Sequence, residues 1–405
     1  MNQNITIPFI EGDGIGPEIW AVTKQIIDKA VAVSYEGKNK IEWVEILAGM
    51  NAIEKTGLPL PDETIAEIKK HKIAIKGPLT TPVGEGFKSI NVQLRQILDL
   101  YACVRPMGYI KGVKSELKHP EKINMTVFRE NTEDLYGGIE FKMNSKEVHE
   151  ILDIVKNSNS KGYVHFPDTT AIALKIVSKQ ASERLIRSAI NYAIAHKLPS
   201  VTIVHKGNIL KFTEGGFRNW GYALAKEEFP DQTYTWDTKD SVDTSNRILI
   251  QDRIADAFFQ DIILNPQKHA VVASTNLNGD YISDAIAGCI GGIGISPGAN
   301  INYKTGMAIF EATHGSAPDI AGKDIANPLS LIFSGVMMLH HIGWTAAANL
   351  IDAAAKQLIL KGKVTGDLSI TKAALSCSEF GKALIEEMTS ANKINALSDL
   401  KDMAN

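Results

Sequence analysis

Short runs of β-branched and aliphatic residues alternate along this chain with longer stretches of helical period, a pattern that restricts it to α/β architecture. Ile5 to Ile10 reads as a strand, and Pro17 to Val33 as a helix with proline near its first turn, where a missing N–H costs nothing. A strand at Ile41 to Ile46, a helix at Asp62 to Lys70 and a strand at Lys72 to Lys76 follow. Ile90 to Leu100 is expected to be helical, with Ser89 placed to cap it. Further strands are expected at Met125 to Phe128, Val201 to Val204 and Ala270 to Ser274, with a helix from Ser178 to His196, and the chain turns mostly helical from Pro328 onward. The stretch from Ile139 to Thr170 fits the alternation poorly and reads as a protruding piece.

At 405 residues the chain exceeds one small core, given roughly 150 residues per domain. No low-complexity linker or internal repeat divides it, so discontinuous domains are expected. A net charge of -3 without any basic block excludes a nucleic-acid footprint, and anionic ligands must be met by locally gathered Arg and Lys. Cys103, Cys289 and Cys377 are too scattered for a zinc site or a disulfide framework. Neither a leader pattern nor a long apolar run is seen, so no membrane partner and a cytoplasmic location are expected.

Gly12, Gly14 and Gly16 invite a dinucleotide fingerprint, but their spacing departs from G-x-G-x-x-G and Pro17 intrudes, which favours a tight turn at the mouth of a site. Asp280 and Asp284 are four apart just beyond an apolar strand. On a helix they share one face, suited to a hard cation such as Mg²⁺ or Mn²⁺, or else they are simply a solvated face. Arg95, Arg105 and Arg129 fall near strand or helix ends alongside Ser89 and Asn91; guanidinium groups suit carboxylates, although each alone reads equally as a surface charge.

Six segments in order, Lys76-Gly-Pro-Leu-Thr-Thr-Pro, Ser89-Ile-Asn-Val-Gln-Leu-Arg-Gln, Phe128-Arg-Glu-Asn-Thr-Glu-Asp-Leu-Tyr136, Val204-His-Lys-Gly-Asn208, Asn278-Gly-Asp-Tyr-Ile-Ser-Asp284 and His314-Gly-Ser-Ala-Pro, resemble the bacterial isocitrate dehydrogenases among the β-decarboxylating dehydrogenases. The resemblance implies an α/β isocitrate/isopropylmalate dehydrogenase-like fold with a large domain (1–100 and 293–405), a small α/β domain (101–133 and 179–292) and a clasp (134–178). It implies that Ser89, Asn91, Arg95, Arg105 and Arg129 bind isocitrate, that Tyr136 and Lys206 are the catalytic acid and base, and that Asp256, Asp280 and Asp284 hold Mg²⁺ or Mn²⁺. It also implies a homodimer with shared active sites, Lys206 and Asp256 reaching across from the second subunit. Ser89 has a plain helix cap as its other reading, and it matches the residue that some relatives regulate by phosphorylation.

The same resemblance assigns dinucleotide contacts to Leu79, Thr80, Thr81, Asn208, His314, Gly315, Asp319, Ile320 and Asn327. Members that use NADP carry Lys then Tyr where this chain has Asp319 and Ile320, and Tyr and Arg where a continuation without gaps gives Gly366 and Ile370. Asp319 can accept hydrogen bonds from ribose hydroxyls, and at a separation of about 4 Å it would oppose a 2′-phosphate by on the order of 4 kcal/mol. NAD is therefore the expected cofactor, and the expected reaction is oxidative decarboxylation of isocitrate to 2-oxoglutarate and CO₂ with reduction of NAD. The alternatives are an NAD-dependent homoisocitrate or 3-isopropylmalate dehydrogenase, against which polar Ser89 and Asn91 argue, and more remotely a non-catalytic regulatory subunit.

Overall fold

The alternation folds into a single eleven-stranded sheet clothed by helices, and a computed structural model describes it over residues 3–81, 89–158, 162–369 and 373–402. The first strands are β1 (Gln3–Ile10), β2 (Asn39–Glu45), β3 (Ile73–Lys76), β4 (Ala102–Gly108) and β5 (Asn124–Glu130). A separate antiparallel pair, β6 (Glu140–Phe141) and β7 (Ile172–Ala173), lies outside the main sheet. The main sheet continues with β8 (Ser200–His205), β9 (Thr233–Tyr234), β10 (Ile248–Ile254), β11 (Val271–Ser274), β12 (Pro297–Asn302) and β13 (Met307–Ala312).

The first six helices are α1 (Gly16–Ser34), α2 (Met50–Thr56), α3 (Asp62–His71), α4 (Ile90–Ile97), α5 (Lys146–Asn157) and α6 (Lys179–Ala195). After them come α7 (Glu214–Glu228), α8 (Ala255–Leu264), α9 (Asn276–Ile290), α10 (Leu329–His341), α11 (Thr345–Leu360) and α12 (Cys377–Asp402). Helix α1 begins with proline at its first turn, as the sequence suggests. Ser178 caps α6 by accepting from the Ala181 N–H.

Strand order is β2-β1-β3-β13-β12-β4-β5-β11-β8-β10-β9. Strand β12 is antiparallel to both neighbours and β4 is antiparallel to β5, whereas the flanking strands pair in parallel. Two parallel halves therefore meet head-on at the β13-β12-β4-β5 junction, the kind of topological break at which α/β sheets open a crevice. Successive residues of a strand feed opposite faces, so Ile75 joins the large core under α1, α10 and α11 while Ala74 joins the one under α3 and α4. A third core beneath α8 and α9 takes Val127, Val204, Phe258 and Ile286. Between β6 and β7, in the stretch that breaks the alternation, the chain carries α5, of which only Val148 is buried. Among the described residues no helix is long and apolar enough to cross a membrane.

Candidate active site

Sheet register gathers the basic and acidic side chains at the junction. Lys76 pairs with Glu311, and Cys103 with Arg129, while β12 sets Asn300 beside Cys103 and Gly298 beside Glu311. Alternation then puts Lys76, Glu311, Asn300, Arg105 and Arg129 on one face. Arg95 reaches the same face from α4, its Nη2 2.9 Å from Glu311, and Lys76 Nζ lies 2.8 Å from the other Glu311 oxygen. Burial alone would raise the Glu311 carboxyl, but the charges of Lys76 and Arg95, with hydrogen bonds from Lys76 and Asn300, drive it well below the usual range.

Arg95, Arg105 and Arg129 are all buried. Each keeps a buried N–H without a partner among the described residues, at Nε of Arg95 and Arg105 and Nη2 of Arg129, and the buried Asn91 Oδ1 lacks one too. Burying such groups unpaired is costly, and the three unmatched guanidinium donors have the chemistry that suits an anion. Ser89 sits at the N-terminus of α4 without capping it; its hydroxyl accepts from Thr81 Oγ1 at 3.1 Å. The plain-cap reading of Ser89 is therefore not what the side chain does here.

Helix α9 lies over Arg129 so closely that a Cβ on Gly279 would stand 2.7 Å from the arginine Cβ and Cγ. This approach brings Asp280 onto Arg129, while Arg105 Nη1 lies 3.9 Å from Asp280 and 3.4 Å from Asp284. The two aspartates thus share a face, as their spacing predicts. Burial raises Asp280, but Arg129, the Tyr136 hydroxyl and Arg105 outweigh it and lower the carboxyl. Asp284 goes the other way, pushed up by desolvation and by the Asp280 charge despite Arg105. Hard oxygens one turn apart, with one carboxyl raised by burial and then by its like-charged neighbour, have the chemistry that suits a divalent cation. Among the described residues no three His, Cys, Asp or Glu side chains stand together as a metal site.

Tyr136 lies in a short 3-10 turn after β5, and its hydroxyl donates to Asp280 Oδ2 at 2.5 Å, with the Arg129 guanidinium 4.7 Å from its ring centre. Burial, then the Asp280 hydrogen bond, raise its pKa, so the phenol carries its proton. Lys206 and Asp256, following β8 and β10, pair with each other near the surface, and among the described residues no hydrogen bond or ion pair links them to Asp280 or Asp284. Asn208 is exposed on the turn after β8, in the other half of the sheet from β3 and β13, which the other residues assigned to the dinucleotide follow.

Those others cluster at the carboxyl ends of β1, β3 and β13. Gly14 passes so near Ser316 that a Cβ would stand 2.0 Å from its carbonyl oxygen, and Ile15 N–H donates to that oxygen, so the glycines serve a packed turn, not a pyrophosphate fingerprint. Thr80 bonds Ser316 at 2.8 Å, Leu79 is buried, and Asn327 bonds Asp367 at 2.8 Å. His314 is held neutral chiefly by burial, and its buried Nε2 has no partner among the described residues, while Gly315 beside it is exposed, so the loop carries hydrogen-bonding capacity that those residues leave unfilled. Sequence reasoning missed Asp13, which accepts the N–H groups of Met50 and Thr80, and Glu311, whose charge inside the apolar run Met307–Ala312 was the available signal.

Fold and site define an α/β protein in which buried arginines face aspartates at a topological break in its sheet. The chain belongs to the isocitrate/isopropylmalate dehydrogenase family, whose model matches residues 6–384. It is 54% identical over 382 residues to an NADP isocitrate dehydrogenase of Streptococcus salivarius, covering 94% of this chain and 95% of that protein. The corresponding protein of Staphylococcus aureus is 50% identical over 401 residues, with the same coverage. An isocitrate dehydrogenase structure from Methylococcus capsulatus superposes with a TM-score of 0.79 at 40% identity, covering 95% of this chain and 99% of that one.

These relatives correct the expectation of NAD, since those matching at 50–54% identity are named as NADP enzymes. The geometry supplies the reason. Asp319 lies exposed on a single 3-10 turn, and no hydrogen bond or ion pair among the described residues anchors it. A carboxylate free to swing into water is screened, so the repulsion of about 4 kcal/mol estimated for a fixed 4 Å contact does not apply. Ile320 packs partly against the large core, and Gly366 precedes the Asp367 that Asn327 holds, whereas Ile370 lies outside the described residues.

Proposed function

We propose that this chain oxidises and decarboxylates isocitrate to 2-oxoglutarate and CO₂ with NADP as acceptor, in a homodimer whose sites draw on both subunits. The observation that carries the reading is the trio of buried guanidinium groups with unmatched N–H donors, set against Asp280, Asp284 and the protonated Tyr136. Arg95, Arg105 and Arg129 grip the carboxylates of the substrate, with Ser89 and Asn91 meeting the one that separates isocitrate from its apolar relatives. Asp280 and Asp284 hold Mg²⁺ or Mn²⁺, with Asp256 of a second copy completing the set. A bound cation would supply Lewis acidity at C2, and a bound dinucleotide would supply the hydride acceptor.

Tyr136 delivers its proton to the carbon that loses CO₂, and Lys206 of the second copy draws the C2 hydroxyl proton away. Leu79, Thr80, Thr81, His314, Gly315 and Asn327 line the dinucleotide side, with Asn208 contributed from the Lys206 turn. Residues 134–178 serve as the clasp between copies, and 1–100 with 293–405 as the large domain. Absorbance assays with isocitrate, homoisocitrate and 3-isopropylmalate side by side test the reading. NADP reduction with isocitrate alone, abolished by chelator and restored by Mn²⁺, is expected; comparable turnover of isopropylmalate, or activity indifferent to chelator, overturns it.

A further inference from the structure

Glu214, at the start of α7, is 1% exposed, yet it touches none of the substrate-gripping arginines. Four donors converge on its two oxygens. Oε1 accepts from Lys175 Nζ at 2.8 Å and Thr275 Oγ1 at 2.9 Å; Oε2 accepts from the Lys206 N–H at 2.8 Å and Asn278 Nδ2 at 3.0 Å. Lys175 also pairs with Asp134, which is 2% exposed. Asp134 in turn accepts the Leu135 N–H at 2.8 Å and the Leu277 N–H at 3.0 Å, and its backbone sits at φ 70, a left-handed conformation that a non-glycine residue keeps only when its surroundings hold it there.

The cluster therefore spans three segments that carry separate parts of the chemistry. Asp134 opens the turn that holds Tyr136, Thr275 to Asn278 form the start of the helix that holds Asp280 and Asp284, and the Lys206 backbone begins the loop that holds the amine. Two buried carboxylates against one lysine leave a net negative charge, which the Leu277 N–H in the first turn of α9 and the converging side-chain donors absorb. An apolar core would pack these segments without fixing their angles, whereas hydrogen bonds from all three onto a few oxygens fix them to tenths of an ångström.

We infer that Glu214, together with Lys175 and Asp134, is a positioning node that sets the Tyr136 turn, the Asp280–Asp284 helix and the Lys206 loop in one frame. Its wider consequence rests on the proposed function: if Lys206 serves the second copy's site, the node ties each chain's own site to its neighbour's. A disturbance of Tyr136 or Asp280 in one site is then felt at the lysine serving the other.

Glu214→Gln in the full-length oligomer tests this, because an amide nitrogen must then face two donors. The expected result is faster backbone hydrogen exchange in residues 134–137, 206–210 and 275–281 together. The kcat for isocitrate is expected to fall by roughly tenfold with KM changed by less than about threefold, since the arginines that grip substrate do not touch the node. Should that variant fail to fold, Asn278→Ala removes one half-buried donor of the four, and the same pattern at smaller amplitude is expected. Exchange that rises only around Lys206, or throughout the chain, or a fall in kcat no larger than the fall in folded fraction read by circular dichroism, overturns the node. If the unaltered protein does not turn over isocitrate, the proposed function fails by itself, and the three-segment exchange still decides the inference.

Discussion

The Tyr136 hydroxyl donates to Asp280 at 2.5 Å while the Arg129 side chain both pairs with Asp280 and lies against the tyrosine ring. A proton donor is thereby parked on a prospective metal ligand, held there by a buried cation. Its pKa is raised by burial first and the Asp280 bond second, so at neutral pH it enters the reaction protonated. Tyr136→Phe should lower kcat by roughly 10²–10⁴-fold, the range for loss of a general acid. Stability should fall by only about 1 kcal/mol, one hydrogen bond's worth. A variant that melts earlier but keeps kcat within threefold would reduce Tyr136 to packing.

Glu311 makes a prediction about acid. Its carboxyl lies below the ordinary value of 4.5 because Lys76 and Arg95 overcome the burial penalty. A depressed native pKa means that the unfolded chain binds the proton more readily; the stabilisation is complete above about pH 4.5 and drains away as pH falls towards the native value. Denaturation midpoints of the unaltered protein should therefore drop below that pH. Glu311→Gln, which strands two buried cations, should cost about 3–5 kcal/mol near neutrality and show a shallower acid dependence. Parallel curves for the two proteins would remove the ion cluster from the stability argument.

Much of this fold was readable because buried parallel strands such as Val201 to Val204 and Val271 to Ser274 are nearly pure aliphatic runs. Three of the four junction strands hid for the opposite reason, β5 alone being read from Met125 to Phe128. β4 carries Arg105 and Pro106, β12 is Pro297–Asn302 with Gly298 inside it, and β13 carries Glu311, so polar and turn-forming residues mask strands whose one face is a site. Arg129 and Asp280 were both singled out, but their contact spans 151 residues of sequence and no local pattern could join them. Glu214 and Lys175 went unnoticed because each looks like an ordinary surface charge until folding buries it. The cofactor is misread at the remaining step: the charge argument treats Asp319 as fixed, whereas the fold leaves it exposed and, among the described residues, unanchored.

That exposure can be measured. If Asp319 turns into solvent when the dinucleotide binds, Asp319→Ala should change KM for NADP by less than about threefold, under 0.7 kcal/mol at about 1.4 kcal/mol per tenfold. An improvement of tenfold or more on removing the carboxylate would mean that it presses on the 2′-phosphate after all.

Gly279 should be among the least replaceable small residues in the chain. Its α-helical backbone poses no conformational demand, and the constraint is instead the 2.7 Å from a new Cβ to the Arg129 Cβ and Cγ. Arg129 is 1% exposed and bonded through Nε to Asn276 at 2.9 Å, so it has no room to retreat, and α9 must lift instead. Overpacking of this kind costs about 1–3 kcal/mol. The lift also draws Asp280 off Arg129 and away from Tyr136, so Gly279→Ala should lose at least tenfold in kcat, a change of about 1.4 kcal/mol at the barrier. Gly288→Ala provides the contrast, because a Cβ on that glycine of the same helix meets nothing within 4 Å, and replacing it relieves the entropy that glycine costs a helix. Denaturation and steady-state rates on the two variants decide the matter: equal behaviour would show that helix α9 is not held to its place by contact with Arg129.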